Sequence, residues 1–215
     1  MWLEFDRDEV LVGHLGMSGQ FKIQKRSSEY EKHLRANFEL SNGKDMRFID
    51  QRTFGWLAVD QLVDEVPTLV SHIARDLFDP KFDKKATVAK IAGKRGQIKK
   101  VILDQNVLSG IGNIYADEAL WYARIHPESI AMDLSSTQIL NILTAAQKVM
   151  KRALAAGGTS FDALYINVNG ESGYFERSLA VYGQEGEPCR RCGTEIIRIA
   201  FANRSSRLCP ACQTR

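Results

Sequence analysis

The sequence predicts an α+β protein with more than one domain, because its pattern changes twice along its 215 residues. Roughly the first 60 residues alternate apolar and polar side chains or are rich in β-branched residues, as strands do. After Pro67 the apolar residues recur at helical spacing as far as Leu164. The four cysteines then lie close to the C-terminus, in two Cys-x-x-Cys pairs. We therefore expect domains at 1–66, 71–176 and 177–215.

The first domain is predicted to be an antiparallel sheet that forms part of a β-sandwich or flattened barrel. Its strands are expected at 9–16, 33–40, 45–50 and 54–60, joined by short connections. Asn42-Gly43 forms the centre of a predicted hairpin turn. The sequence starts in mid-pattern at Met1, and so few strands make a thin sandwich. We therefore expect the printed sequence to begin inside this domain.

The second domain is predicted to be helical, with a plain helical bundle as the alternative to a binding module. Helices are expected at 87–92, 101–108, 115–122, 135–156 and 160–165. Ser135 to Gln138 suits the N-terminal cap of the long helix, and Gly157-Gly158 its end. The stretch 109–115 places two glycines before Asn113 at a helix start. This predicts a tight helix–turn–helix whose backbone N–H groups suit a phosphate.

The four cysteines predict a metal site at the C-terminus. Cys189 and Cys192 are separated from Cys209 and Cys212 by a hairpin-length spacer of sixteen residues, with strands expected at 194–201 and 207–208 and the turn at 203–206. Two such pairs place four thiolates tetrahedrally around Zn²⁺. Two disulfides are the alternative, but no secretory signal pattern precedes them. Four sulfur ligands close the coordination shell, so we expect one structural zinc that stabilises a hairpin too small to have a core.

Charge is distributed unevenly along a chain whose formal net charge is only +3. Residues 81–100 contain eight Lys or Arg and one acid, and 177–215 contain seven Arg, no Lys and three Glu. Two basic blocks indicate a surface that faces a polyanion, although each block alone is also typical of a solvated surface. No apolar run approaches the ~20 residues that span a bilayer, so we expect no membrane partner.

A set of motifs then occurs in the order found in one family. These motifs are HLGMSG (14–19), DQRTFG (50–55), LDQNVLSGIGNIYADEAL (103–120), GGTS (157–160), SGYF (172–175), VYGQEGEPCRRCG (181–193) and CPACQ (209–213). Together they resemble, almost from end to end, the formamidopyrimidine-DNA glycosylases. HLGMSG and DQRTFG resemble this branch more than its pyrimidine-preferring relative, endonuclease VIII. The resemblance implies a β-sandwich, a helix–two-turn–helix domain and a zinc finger, with duplex DNA as the partner.

The resemblance also implies an activity. The family excises oxidised purines such as 8-oxoguanine and formamidopyrimidines, and then cleaves the abasic site by β,δ-elimination as an AP lyase. The resemblance further implies that the protein acts in base-excision repair, as a monomer, in the bacterial cytoplasm or nucleoid.

The residues expected to meet the lesion lie in two early motifs. The resemblance implies that Met17, Arg52 and Phe54 fill the gap left when the damaged nucleotide is flipped out of the helix. Flipping costs a few kcal/mol of unstacking, and an apolar wedge with an arginine on the orphaned base offsets part of that. Core packing is the alternative for Met17 and Phe54.

Other roles are carried across from the same resemblance. His33, Lys94, Arg95 and Asn113 are expected to contact the DNA backbone, and Arg204 at the hairpin tip is expected to grip phosphates and take part in the final elimination. The loop expected to close over the damaged base contributes three more residues, namely Ser172, Gly173 and Tyr174.

The family's nucleophile is an N-terminal proline followed by glutamate, with a lysine further along the sandwich. The printed sequence begins with Met-Trp-Leu-Glu, which aligns just after that lysine. We expect either a shortened form of an active glycosylase/lyase, which we favour, or a chain that binds DNA without cutting it. A zinc-containing transcription factor and an RNA-associated zinc-ribbon protein are further alternatives.

Overall fold

The computed structural model describes residues 1–5, 8–16, 18–157 and 178–215. They fall into two compact units. The strand unit is formed by Met1–Ser71, and the helical unit by His72–Ala156 together with the described residues from 178 onward. None of the described helices is both long and apolar enough to cross a membrane. Met17 and the lesion-loop residues Ser172, Gly173 and Tyr174 lie outside the described residues.

The described residues of the strand unit form seven strands in two antiparallel sheets. They are β1 Trp2–Glu4, β2 Glu9–His14, β3 Gly19–Lys25, β4 Leu34–Glu39, β5 Lys44–Asp50, β6 Trp56–Val63 and β7 Val66–Pro67. One sheet has the order β1-β2-β6-β7 and the other β3-β5-β4. The predicted hairpin turn is present between β4 and β5, where Gly43 takes a φ of +76° that suits glycine.

The two sheets of the strand unit pack through apolar side chains. Within the second sheet, Phe21 of β3 and its register partner Phe48 of β5 form an apolar pair, with tilted rings whose centroids are 5.1 Å apart. A Cβ on Gly13 of β2 would lie 3.1 Å from the Phe21 ring, so glycine permits this close approach. Val10 and Val12 of β2 are fully buried. The predicted sandwich is confirmed, and three strands that were not predicted, β1, β3 and β7, add to it.

The described residues of the helical unit form four α-helices: α1 Lys84–Ala92, α2 Ile98–Ile102, α3 Asn113–Ala123 and α4 Ser136–Ala155. The helix expected at 160–165 lies outside the described residues. Ser135 caps α4 in a capping box with Gln138, as predicted. The helix expected at 101–108 is displaced, because Asp104 accepts hydrogen bonds from the backbone and side chain of Asn106 and forms a turn there. The core is apolar and is formed largely by Ile91, Ile98, Ile102, Leu108, Ile111, Leu120, Ile139, Ile142 and Leu143.

The C-terminal hairpin consists of β8 Ile197–Phe201 and β9 Arg204–Leu208. Its turn is tighter than the predicted 203–206, because Ala202 takes a φ of +48° and Phe201 pairs directly with Arg204. Arg204 is therefore the first residue of β9 rather than the middle of a loop. Its side chain is exposed at the hairpin tip.

Candidate metal centre and nucleic-acid interface

The four cysteines converge on one point of the helical unit. None of the four forms a disulfide, and their Sγ atoms lie within 4.8 Å of one another. Cys192 Sγ lies 3.4 Å from the Sγ atoms of both Cys209 and Cys212. A tetrahedral Zn²⁺ with bonds of about 2.3 Å separates its sulfurs by about 3.8 Å. The donor set and the spacing therefore fit one zinc ion, and the closed four-sulfur shell makes it structural.

The metal centre is joined to α3 by side chains that surround it. Trp121 Nε1 donates to Cys189 Sγ at 3.4 Å, and the Arg191 guanidinium lies 4.0 Å from the centroid of the Trp121 ring. Gln213 accepts from the Cys209 backbone N–H at 3.0 Å and donates to the Ile125 carbonyl at 2.9 Å. The finger is therefore held against the helices both by the metal knuckles and by their neighbours.

A buried ion pair connects the helices to the hairpin. Lys99 Nζ of α2 lies 2.7 Å from Asp117 Oδ1 of α3, and both side chains are fully buried. The same Nζ donates to the Ser205 carbonyl at 2.9 Å. Asp117 also accepts from Ser206 Oγ at 2.7 Å and from the Arg207 backbone N–H at 3.1 Å. Three consecutive residues of β9, those that follow Arg204, are thus attached to a single pair of charges.

Burial disfavours the charged form of both partners in this pair. Burial raises the pKa of the Asp117 carboxyl, whereas Lys99 and Ser206 act to lower it. Burial likewise lowers the pKa of the Lys99 ammonium, and Asp117 acts to raise it. Because each charge is compensated mainly by the other, removal of either partner leaves a buried charge without compensation.

The side-chain amide of Gln105 fixes the loop that precedes α3 in the helix–turn–helix. Gln105 Oε1 accepts from the Gly110 N–H at 2.9 Å, and its Nε2 donates to the Ile111 carbonyl at 3.2 Å. Gly110 has a φ of +84°, which favours glycine. Asn113 then begins α3, and its Nδ2 donates to the Ser205 carbonyl at 3.3 Å. Asn113 Oδ1 is buried and has no hydrogen-bond partner among the described residues.

A basic groove of about 500 Å³ lies between the loop after α1 and the hairpin tip, and we name it the first groove. Lys94, Lys100 and Arg204 line it, and Asp104 is the only carboxylate among the described residues of the lining. Arg95 is exposed beside Lys94. The structure therefore brings together the basic block and the finger arginine, which lie far apart in the sequence.

A second buried carboxylate, that of Glu118, binds the backbone of the segment that begins at residue 178. Glu118 of α3 accepts from the backbone N–H groups of Ala180, Val181 and Tyr182 at 2.8–3.0 Å. Burial raises the pKa of the Glu118 carboxyl, and those three N–H groups act to lower it. The segment that leads into the first cysteine pair is therefore fixed to the same helix as the hairpin.

In the strand unit, Asp50 organises the loops that contain the predicted lesion-facing residues. It accepts from Ser18 Oγ at 2.5 Å and from the N–H groups of Gly55 at 2.7 Å and Arg52 at 3.2 Å. Ser18 Oγ also accepts from the Arg52 N–H at 3.0 Å. Although burial alone would raise the pKa of Asp50, the donors led by Ser18 hold it below its usual range. One carboxylate thus joins the HLGMSG and DQRTFG loops.

Close backbone contact reinforces this junction. A Cβ on Gly16 would lie 2.8 Å from the Phe54 carbonyl carbon, and one on Gly55 would lie 2.7 Å from the Phe48 ring. Phe54 itself is 60% exposed, so the core-packing alternative for this residue is wrong. Arg52 is also exposed, whereas His33 is half-buried and its carbonyl accepts from the Asp50 N–H at 3.0 Å.

Sequence reasoning missed several residues that build the site. Lys99, Asp117, Glu118 and Asp50 lie inside the recognised motifs or the basic block, but their burial could not be read from residue type. His14 stacks on Trp56 with ring centroids 5.6 Å apart, exposed at the end of β2. The pair Asp117-Glu118 lies between Ala116 and Ala119 in a mostly apolar part of its motif, which was a signal for buried acids, whereas Asp50 is followed by Gln51 and Arg52 and gave none.

By fold and metal site, the helical unit defines a class: zinc-finger proteins built on a helix–turn–helix. Family models identify the particular branch. The formamidopyrimidine-DNA glycosylase N-terminal domain matches 1–57, and the formamidopyrimidine-DNA glycosylase H2TH domain matches 73–164. The zinc finger found in FPG and IleRS matches 186–215.

Individual relatives agree with the family models. The chain is 57% identical to the formamidopyrimidine-DNA glycosylase of Rhodococcus jostii, with 99% of this chain and 75% of the relative covered. It is 52% identical to that of Thermobifida fusca, covering 100% of this chain and 77% of the relative. This chain belongs to the formamidopyrimidine-DNA glycosylase family.

Solved structures share the fold. A structure of MutM in complex with carbocyclic 8-oxo-G containing DNA aligns with a TM-score of 0.84 at 31% identity, covering 100% of this chain and 78% of that one. A complex of Lactococcus lactis Fpg with abasic-site DNA aligns with a TM-score of 0.83 at 30% identity, covering 97% and 76%.

Proposed function

We propose that this chain binds duplex DNA that contains an oxidised purine or an abasic site, as a DNA-repair glycosylase and AP lyase. The solved relatives with this fold were captured on 8-oxo-G and abasic-site DNA, which supports the substrate class. We further propose that it acts as a monomer in the bacterial cytoplasm.

The observation that carries this proposal is the placement of Arg204. It lies on the first groove with Lys94 and Lys100, and the residues that follow it are bonded to the buried Lys99–Asp117 pair. A guanidinium held at a rigid tip is suited to bidentate contact with a phosphate. Asn113 donates to the same β9 carbonyl as Lys99, and we assign the remaining Nδ2 hydrogen of this amide to a backbone phosphate. Arg95, exposed next to Lys94, adds to the positive surface.

Arg204 also suits the elimination steps. Each elimination breaks a bond between sugar carbon and phosphate oxygen, so negative charge grows on the departing phosphate. A fixed guanidinium within hydrogen-bonding reach stabilises that charge more in the transition state than in the ground state. The zinc takes no part in this chemistry, because its four sulfur ligands leave no open position.

The strand unit supplies the groups that replace the flipped nucleotide. Phe54 is exposed on a loop fixed by Asp50, and Arg52 is exposed beside it. An apolar side chain of this size inserts between base steps, and the guanidinium pairs with the orphaned base. We assign Met17 the same wedge role. We assign backbone contact to His33 and closure over the base to Ser172, Gly173 and Tyr174, on family resemblance.

The proposal is tested by the affinity of the 215-residue chain for three labelled nucleic acids: a duplex with an abasic analogue, the same duplex undamaged, and a folded RNA. Fluorescence anisotropy is the measurement. We expect the abasic duplex to bind most tightly and the RNA most weakly. Arg204→Ala should weaken binding, whereas the exposed Arg198→Ala of β8, which does not line the groove, should not.

Each rival function gives a different result. A transcription factor would prefer one operator sequence and ignore the lesion. An RNA-associated zinc-ribbon protein would prefer the folded RNA. Equal affinity for the abasic and undamaged duplexes would contradict lesion recognition.

A further inference from the structure

A second basic groove lies on the helical unit, where the end of α3 meets the middle and end of α4, and we name it the rear groove. Its volume is about 400 Å³. The lining consists of three cations, three neutral hydrogen-bonding side chains and apolar residues, namely Arg124, Lys148, Arg152, Tyr122, Asn141, Thr144, Ala123, Ala145 and Val149. No carboxylate is among these residues.

The lining has the composition of a phosphate site. Phosphate oxygens in DNA complexes are contacted by Arg, Lys, Thr, Asn and Tyr side chains, and each of these types is present here. Arg152 Nη1 donates to Tyr122 Oη at 3.0 Å, which orients the guanidinium. Arg124 and Lys148 are exposed, and neither has an ion-pair partner among the described residues.

Helix dipoles explain only part of this charge. Arg124 takes the left-handed conformation at the C-terminal cap of α3, and Arg152 lies in the last turn of α4. Cations at those positions stabilise the helix ends. Lys148 lies two turns before the end of α4, beyond the range of the dipole, and it faces the same groove. The helix dipole therefore does not account for Lys148.

The rear groove is separated from the DNA-facing elements of the proposed function. Asn113 begins α3, and Tyr122 lies nine residues further along the same helix, or about 14 Å at 1.5 Å per residue. None of the residues lining the rear groove lines the first groove.

We propose that the rear groove binds the phosphodiester backbone of a second DNA segment, separate from the segment that contains the lesion. This inference rests on the proposed function, since it adds a second duplex to a protein that already holds one. A protein with two backbone sites bridges two duplexes and passes from one to the other without full release.

A capture experiment tests this inference on the full chain. The protein is first bound to an immobilised short duplex with an abasic analogue, and a second, labelled, undamaged duplex is then added. We expect the wild-type protein to retain the labelled duplex, with retention falling steeply as salt rises. Lys148→Glu should lose most of it while the protein stays bound to the immobilised lesion.

Lys151 supplies the matched control. It is an exposed lysine on α4, three residues after Lys148, and it does not line the groove. Lys151→Glu changes the net charge by the same amount and should retain the labelled duplex. The milder Lys148→Ala should lower the salt slope of capture by about 0.9, the value for one phosphate contact. Zinc content and the circular dichroism spectrum should be unchanged in all three variants.

Two results would overturn the rear-groove proposal and leave the proposed function intact. One is equal capture by Lys148→Glu and Lys151→Glu. The other is a Lys148→Glu variant that no longer binds a labelled polyglutamate but still captures the labelled duplex. That result would identify an acidic protein surface as the ligand. Failure of the wild type to bind the immobilised lesion at all would instead contradict the proposed function.

Discussion

The helical unit and the strand unit position their proposed DNA-facing side chains by different physical means. Arg204 is positioned by buried charges and by the metal site, because β9 is attached to the Lys99–Asp117 pair and the hairpin ends at the cysteines. Phe54 is positioned by the Asp50 carboxylate and by close glycine contacts in exposed loops. The group proposed to grip phosphates therefore has a rigid support, whereas the group proposed to face the lesion is fixed only locally.

Loss of the metal should have the largest effect. In Cys209→Ser one of the four zinc ligands is replaced, and zinc sites of this type contribute about 10–16 kcal/mol of apparent binding free energy to folding. We expect zinc content well below one per chain, a disordered hairpin and weak binding to every duplex. Metal analysis and anisotropy on the purified, reduced protein are the measurements. Full DNA affinity in a zinc-free chain would contradict the structural role.

Breaking the buried ion pair should have the next largest effect. Lys99→Met leaves the Asp117 carboxylate buried without its cation, which costs about 3–5 kcal/mol. Urea unfolding should show this loss. The neighbouring Lys100 is exposed, so Lys100→Met should change the free energy of unfolding by less than about 0.5 kcal/mol. Equal effects of the two substitutions would show that the pair does not hold the hairpin.

In the strand unit the corresponding change is Asp50→Asn. The amide keeps the shape but faces N–H donors with one oxygen instead of two, and each unsatisfied buried donor costs about 1–3 kcal/mol. Because the pKa of Asp50 is lowered in the folded state, its stabilising contribution is present above the unfolded pKa of about 3.9 and is lost as the pH falls through the folded value. Unfolding below about pH 4 should show this acid-dependent loss in the wild type and not in the variant. Parallel pH profiles would contradict the assignment.

Phe54→Ala should have the smallest effect on stability. Phe54 is 60% exposed, and surface substitutions usually change stability by less than about 0.5 kcal/mol. A thermal melt should therefore be almost unchanged. A loss comparable to that of Asp50→Asn would contradict the exposed position of the ring.

Local pattern predicted much of this structure. The Ser135 cap, the Asn42-Gly43 turn and the cysteine cluster are each specified by neighbouring residues, so the sequence was sufficient for them. The strand β3 was missed because its lysines and glutamines alternate with only two large apolar residues, Phe21 and Ile23. The hairpin turn was placed too late because Ala202, a residue without turn preference, takes the positive φ.

The candidate site was predictable in its parts but not in its supports. Residue type indicated Arg204 and the cysteines, and motif resemblance indicated Asn113, Arg52 and Phe54. Lys99 and Asp117 are eighteen residues apart and meet only in the folded unit. From sequence pattern alone such residues are predicted to be exposed. Whether a charge can be buried depends on a partner that here is distant in the chain.

The central claim is that the helical unit supplies affinity for the backbone and the strand unit supplies preference for the lesion. The most direct test is the ratio of affinities for the abasic-analogue duplex and the undamaged duplex, measured in wild type, Arg204→Ala and Phe54→Ala. We predict that Arg204→Ala weakens binding to both duplexes and leaves most of the ratio, whereas Phe54→Ala brings the ratio close to one. A wild-type ratio of one, or a ratio that Phe54→Ala leaves unchanged, would contradict the account.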